Sequence, residues 1–170
     1  MKLTLEKLPS PIGTILLACD GEAIRALDFE EFEPRFMRLL RRHWGDLELV
    51  SGKAPRPIAA AIRGYFDGDI GAPGTLATVT RGTDFQREVW AGLRKIPAGK
   101  TWSYADLARH IERPRACRAV GLANAGNPIA IVVPCHRVIG ADGALTGYGG
   151  GMSRKGWLLR HEGVTIAEEG

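Results

Sequence analysis

Between Gly68 and Gly82 the chain is rich in breakers, Gly71, Pro73 and Gly74 among them, so it reads as the linker between two halves, either of one compact domain or of two small, closely packed ones. The boundary falls near residue 80, giving domains 1–80 and 81–170. In the first, residues 2–8, 12–18 and 22–29 read as short strands. Leu3 and Leu5 alternate with Thr4 and Glu6, and Pro11, Gly13, Asp20 and Gly21 punctuate the runs. Phe36, Leu39 and Leu40 recur at helical spacing, as do Ile58, Ala61, Ile62, Tyr65 and Phe66, which predicts helices over 33–43 and 56–67 covering one face of a small antiparallel sheet.

The second half begins on a sharper signal. Thr83-Asp84-Phe85-Gln86 is a capping box, followed by an apolar face of Phe85, Val89, Leu93 and Ile96 and a stop at Pro97. Ser103 to Asp106 repeats that start, with Leu107 and Ile111 on the core side. Pro114 then precedes Ala116, Ala119, Val120 and Ala123 at helical spacing, until Gly126. Two short helices joined by a brief turn are a helix-turn-helix candidate. Its second helix is lean, with Ala116, Cys117, Ala119, Gly121, Ala123 and Ala125 all small, while Arg115 and Arg118 lie off the apolar face. Tight helix packing explains the small residues as readily as close approach to a partner does. The fold class is α/β (α+β): a small N-terminal antiparallel sheet with helices, then a mostly helical C-terminal domain that holds the helix-turn-helix.

Charge separates the halves as well. Residues 1–80 carry 10 basic and 11 acidic side chains and residues 81–160 carry 13 and 5, so the positive field belongs to the second half and suits a polyanion. Ile129 to Val133 is too short for a membrane span, which takes roughly 20 apolar residues. The N-terminus lacks an apolar signal core, which predicts a cytoplasmic protein with no membrane association. Three cysteines, Cys19, Cys117 and Cys135, are an odd number at irregular spacing, as expected of free thiols in a reducing compartment. No CxxC or HxxxH spacing occurs, so no metal is expected.

The run Ile129-Ala130-Ile131-Val132-Val133 reads as a buried strand ending at Pro134, after which Cys135 and His136 set a nucleophile beside a base. Either residue alone is more often structural, the one a small buried hydrophobe and the other a hydrogen-bonded core imidazole. The surrounding stretch resembles the O6-alkylguanine-DNA alkyltransferase family. Its signature Pro-Cys-His-Arg-Val stands at Pro134 to Val138, with supporting matches at Arg118-Ala119-Val120-Gly121, Asn127-Pro128, Tyr148 to Gly151, and Trp157-Leu158-Leu159 leading to His161-Glu162-Gly163.

The resemblance implies that Cys135 accepts the alkyl group once, that His136 deprotonates it through a water, and that Glu162 orients the imidazole. It implies that Arg118 fills the place of a flipped nucleotide while Arg115, Ala119, Gly121 and Ser103 contact the DNA minor groove. Tyr104, Val138, Tyr148, Gly149 and Gly150 would hold the extruded guanine, and Asn127 would tie the helix-turn-helix to the active-site strand. The partner it implies is double-stranded DNA containing O6-alkylguanine, with O4-alkylthymine as a further substrate. No cofactor is needed, and the protein would be a monomer in solution that can assemble cooperatively on DNA. The zinc site of some relatives finds only Cys19 and His43 here. Three other readings stay open: a non-catalytic sensor of alkylated DNA, a multiple-turnover cysteine hydrolase using Cys135, His136 and Glu162, and a transcription factor built on the helix-turn-helix alone.

Overall fold

The computed structural model describes residues 1–166. Contacts divide the chain into two compact units, Met1–Gly82 with Pro128–Val132, and Thr83–Asn127 with Val133–Gly170. The first unit is a four-stranded sheet in the order β3-β2-β1-β4, formed by β1 (Lys2–Leu8), β2 (Ile15–Cys19), β3 (Ile24–Phe29) and β4 (Glu48–Ser51), with helices α1 (Glu33–Trp44) and α2 (Arg56–Phe66). All five residues of β2 are buried, which is why Ile-Leu-Leu-Ala-Cys reads as a continuous apolar run rather than an alternating one. Phe36 and Leu40 of α1 join Leu3, Leu16, Ala18 and Ala26 in one core cluster. Each of the buried leucines and Phe36 contributes about 1.5–3 kcal/mol by leaving water.

The antiparallel β1-β2-β3 meander and both helices match the sequence pattern. The edge strand β4 was not predicted; it pairs parallel to β1, Lys2 opposite Glu48 and Leu3 opposite Leu49. At four residues, none of them fully buried, it leaves too little alternation to read.

The second unit contains α3 (Asp84–Leu93), β5 (Trp102–Ser103), α4 (Tyr104–His110), α5 (Cys117–Ala125), β6 (Val138–Ile139) and α6 (Met152–His161). Both capping boxes form. Thr83 accepts from the Gln86 amide while Gln86 reaches back to Thr83, and Ser103 and Asp106 do the same, each cap being worth about 1 kcal/mol. Trp90 of α3 donates its indole N–H to the Ala123 carbonyl at 2.9 Å, fastening α3 to α5. Gly92 lets α4 come close, since a Cβ there would stand 3.0 Å from both Leu107 and Ile111 side-chain carbons. A two-residue parallel pairing sets Trp102 opposite Val138 and Ser103 opposite Ile139, joining the start of α4 to the chain just past Cys135.

The strand expected over 129–133 does not form. Only Ile129 bridges, parallel to Leu27, with Leu27 N donating to Pro128 O and Ala130 N to Leu27 O. Those bonds attach 128–132 to β3 and so to the first unit, although the sequence pattern groups them with the second half. Ile131 then takes φ 71°, a conformation foreign to a β-branched residue, and a tight turn from Ala130 O to Val132 N breaks the ladder. The run is apolar because it is buried, not because it is a strand. No described helix is long and apolar enough to cross a membrane.

Candidate active site

Cys135, His136 and Arg137 form one turn of 3-10 helix directly after Pro134. The turn is held by hydrogen bonds from Cys135 N to Val133 O at 2.8 Å and from Arg137 N to Pro134 O at 3.0 Å. Cys135 retains 7% of its surface, whereas His136 is wholly buried. Glu162, at the C-terminal end of α6, faces the two residues that follow the thiol: its Oε2 lies 2.7 Å from His136 Nε2, and its Oε1 accepts from Arg137 Nε at 2.7 Å. Arg137 Nη1 also donates to Ile96 O at 2.8 Å.

This arrangement fixes the protonation states. Burial by itself pushes the Glu162 carboxyl up, but the hydrogen bonds and charges of His136 and Arg137 outweigh it and hold the group at about 2. Burial pushes His136 down, and Arg137 and Lys155 add to that against the opposing pull of Glu162. The carboxylate can only accept, so the proton of the neutral imidazole belongs on Nε2, and Nδ1 is the acceptor. Nδ1 is buried with no hydrogen-bond partner among the described residues. A base with its lone pair unengaged therefore stands next in sequence to the thiol.

Lys155 of α6 is completely buried. Its Nζ donates to Val138 O at 2.5 Å and Thr146 O at 2.9 Å. Burial pulls its ammonium down to about 8, against an opposing attraction from Cys135. It keeps a positive charge at neutral pH within electrostatic range of the Cys135 thiol. Thr146 continues the cluster, its hydroxyl 2.8 Å from the Tyr104 hydroxyl. The Tyr148 ring stands edge-on to His136, with centroids 6.5 Å apart.

Of the residues singled out from sequence, Cys135, His136, Glu162, Val138, Tyr104 and Tyr148 fall in this connected group. Asn127 donates Nδ2–H to Val133 O at 2.7 Å, bracing the approach to the turn rather than touching a strand. Gly149 is exposed and Gly150 buried in the loop before α6, where Gly150 O accepts from Arg154. Arg115, Arg118 and Ala119 are exposed at the start of α5 and form a separate surface. Neither arginine makes an ion pair with a described residue. Gly121 links that surface to the cluster, because a Cβ on it would rest 3.8 Å from the Tyr104 ring. Ser103 is engaged as a helix cap.

Sequence reasoning assigned no role to Lys155, Arg137 or Thr146. For Lys155 a signal existed: Lys155, Leu158, Leu159 and Glu162 follow the i, i+3, i+4, i+7 spacing of a buried stripe, so two charged residues occupy core positions of α6. The other cysteines differ. Burial, with the charges of Asp20 and Glu6, pushes Cys19 up to about 12, leaving an inert thiol, and Cys117 is half-buried at the start of α5. Among the described residues no group of three or more His, Cys, Asp or Glu could hold a metal ion.

The family model for the 6-O-methylguanine DNA methyltransferase DNA binding domain matches residues 84–164. A methylated-DNA–protein-cysteine methyltransferase of Shigella flexneri is 48% identical over 169 residues, covering 98% of this chain and 99% of the relative. Among solved structures, the Mycobacterium tuberculosis OGT in complex with DNA superposes with a TM-score of 0.78 at 40% identity, covering 94% of this chain and 92% of that one. The Mycobacterium tuberculosis O6-methylguanine methyltransferase gives 0.77 at 41% identity, covering 98% and 96%. The chain belongs to the methylated-DNA–protein-cysteine methyltransferase family.

Proposed function

We propose that this protein repairs DNA by moving an alkyl group, methyl above all, from O6 of a guanine in duplex DNA onto Cys135 Sγ. The observation that carries the reading is the buried Glu162–His136 hydrogen bond of 2.7 Å immediately beside the one cysteine of a 3-10 turn. A free thiol has a pKa near about 8.5 and reacts as thiolate, so a neighbouring base is needed at neutral pH. His136 Nδ1 takes the thiol proton through a bridging water, and Glu162 stabilises the imidazolium that results. The Lys155 ammonium favours the same charge separation. Sγ attacks the alkyl carbon in line, the S–C bond forms as the C–O bond breaks, and guanine leaves with the electron pair and takes up a proton. A thioether is stable, so each molecule reacts once and needs no cofactor.

The target carbon is inaccessible in stacked DNA, so the nucleotide turns out at a cost of about a few kcal/mol. Arg118, which makes no ion pair with a described residue, fills the vacated place, while Arg115, Ser103, Ala119 and Gly121 lie along the minor groove. Tyr104 meets the base edge. The Val138 carbonyl, engaged by Lys155 through one lone pair, receives the exocyclic amine with the other. Gly149 and Gly150 face the leaving oxygen, Tyr148 walls the pocket beside His136, and Asn127 braces the turn. Residues 81–170 carry this chemistry and residues 1–80 support it. The protein works as a monomer in a reducing cytoplasm, consistent with three cysteines that form no disulfide, assembles cooperatively on DNA, and accepts O4-alkylthymine as a further substrate.

Intact-mass measurement after mixing with duplex bearing O6-methylguanine tests this. One methyl per molecule, mapped to Cys135 and absent in Cys135→Ala, is expected; no gain, or a gain elsewhere, refutes the assignment. Arg118→Ala should slow transfer from duplex while sparing transfer from a free O6-alkylguanine base. Repeated turnover on an ester or peptide would favour the hydrolase alternative instead.

A further inference from the structure

Leu122 is the most exposed large hydrophobic side chain among the described residues, with 71% of its surface open to solvent. It lies on α5 four residues after Arg118, so both project from the same face, whereas Val120, Ala123 and Asn124 point inward. Its neighbours on that face are Ala119 and Ala125, and Gly121 stands beside it, so no adjacent side chain shields it. A scattered surface leucine ordinarily needs no explanation. This one is the only large apolar side chain exposed on α5, on an outer face that is otherwise small apart from Arg118, and that arginine makes no ion pair with a described residue. A groove of about 6 Å width admits such a helix only if most side chains are small. Those that remain large must lie along the groove or enter the stack.

We infer that Leu122 is an apolar wedge for the minor groove of the substrate duplex: it seats against the deoxyribose walls next to the nucleotide that Arg118 displaces, and holds the extruded state. The inference rests on the proposed function above. Arg118 supplies charge and occupies the gap. Leu122 supplies a salt-insensitive contact, in the manner of groove-binding proteins that press apolar side chains between base steps. It is a positioning residue, since it does not reach the reacting atoms.

Single-turnover transfer by the parent, Leu122→Ala, Leu122→Gln and Leu122→Met is measured on duplex O6-methylguanine and on free O6-benzylguanine base. Burial of a leucine predicts that the Ala and Gln variants lose about tenfold or more in rate on duplex. The Met variant stays near the parent, and the free-base rate is unchanged throughout. Because Leu122 is solvent-exposed, these substitutions leave folding intact. Parent-like duplex transfer by Leu122→Ala, or an equal loss on free base, overturns the wedge while leaving the alkyl-transfer reading untouched. A parent that transfers nothing from duplex overturns both.

Discussion

The two units bury charge in opposite ways. In the first, Glu6 and Asp28 are buried, but their cationic partners reach water. Asp28 is gripped by Arg35 through two nitrogens, and Glu6 faces Lys53 at 3.5 Å and Arg63 at 3.4 Å, both exposed, besides accepting from the Ala54 amide. In the second, His136, Arg137, Lys155 and Glu162 are all buried, and each is bonded to another member or to a carbonyl, with only Nδ1 of His136 left without a partner among the described residues. The first pattern trims the edge of an apolar core. The second spends burial on fixing protonation states, which a stability-driven core would avoid, because ionic groups of this kind seldom outperform apolar ones.

The contrast predicts a graded series. Glu162→Gln should have the largest effect, removing about 3–5 kcal/mol of stability by leaving Arg137 buried without its counter-charge, and slowing transfer by about a hundredfold or more. Denaturant titration and single-turnover rates would check both, and a loss of rate without a loss of stability would break the comparison. Next comes acid. Glu162 is held at about 2 against an ordinary 4.5, so its contribution is complete above pH 4.5 and disappears as pH falls toward 2, about 3 kcal/mol in all. Lowered His136 acts in the same sense, beginning below its ordinary 6.5, because the unfolded chain takes up that proton first. Stability measured against pH in Glu162→Gln should lack the lower limb.

Lys155→Met should cost about 2 kcal/mol by stranding the Val138 and Thr146 carbonyls, partly offset by the removal of a buried charge, and should slow transfer about tenfold. Ser103→Ala should cost about 1 kcal/mol through the lost cap of α4, read as a lowered denaturation midpoint. Glu6→Gln belongs at the bottom, under about 1 kcal/mol, since its cations stay hydrated and its bond from Ala54 N survives. A cost for Glu6→Gln rivalling that of Glu162→Gln would erase the distinction between the units.

What the sequence made legible follows the same division. Periodicity located β1 to β3, α1 and α2, and cap chemistry located α3 and α4, because these elements answer to local rules. It overextended α3 toward Pro97, where the helix ends at Leu93 and continues only as turns bonded from Lys95 N to Gly92 O and Ile96 N to Leu93 O. It misread 129–133, since burial without a ladder looks like a strand. Cys135, His136 and Glu162 were visible through a motif. Lys155 was not, because a lysine in a helix ordinarily reads as surface, and its carbonyl partners lie 9 and 17 residues away in sequence. Long-range satisfaction of a buried charge leaves no periodic trace.

The short pairing of Trp102-Ser103 with Val138-Ile139 has a mechanical consequence. It welds the helix pair that would read the duplex to the turn that bears Cys135, so a force on α4 is transmitted to Cys135 instead of being absorbed by a hinge. On the proposed mechanism such a body would dock already assembled, leaving the slow movement to the DNA. The pace of repair should then vary with how firmly the damaged nucleotide is stacked between its neighbours, and little with solvent viscosity.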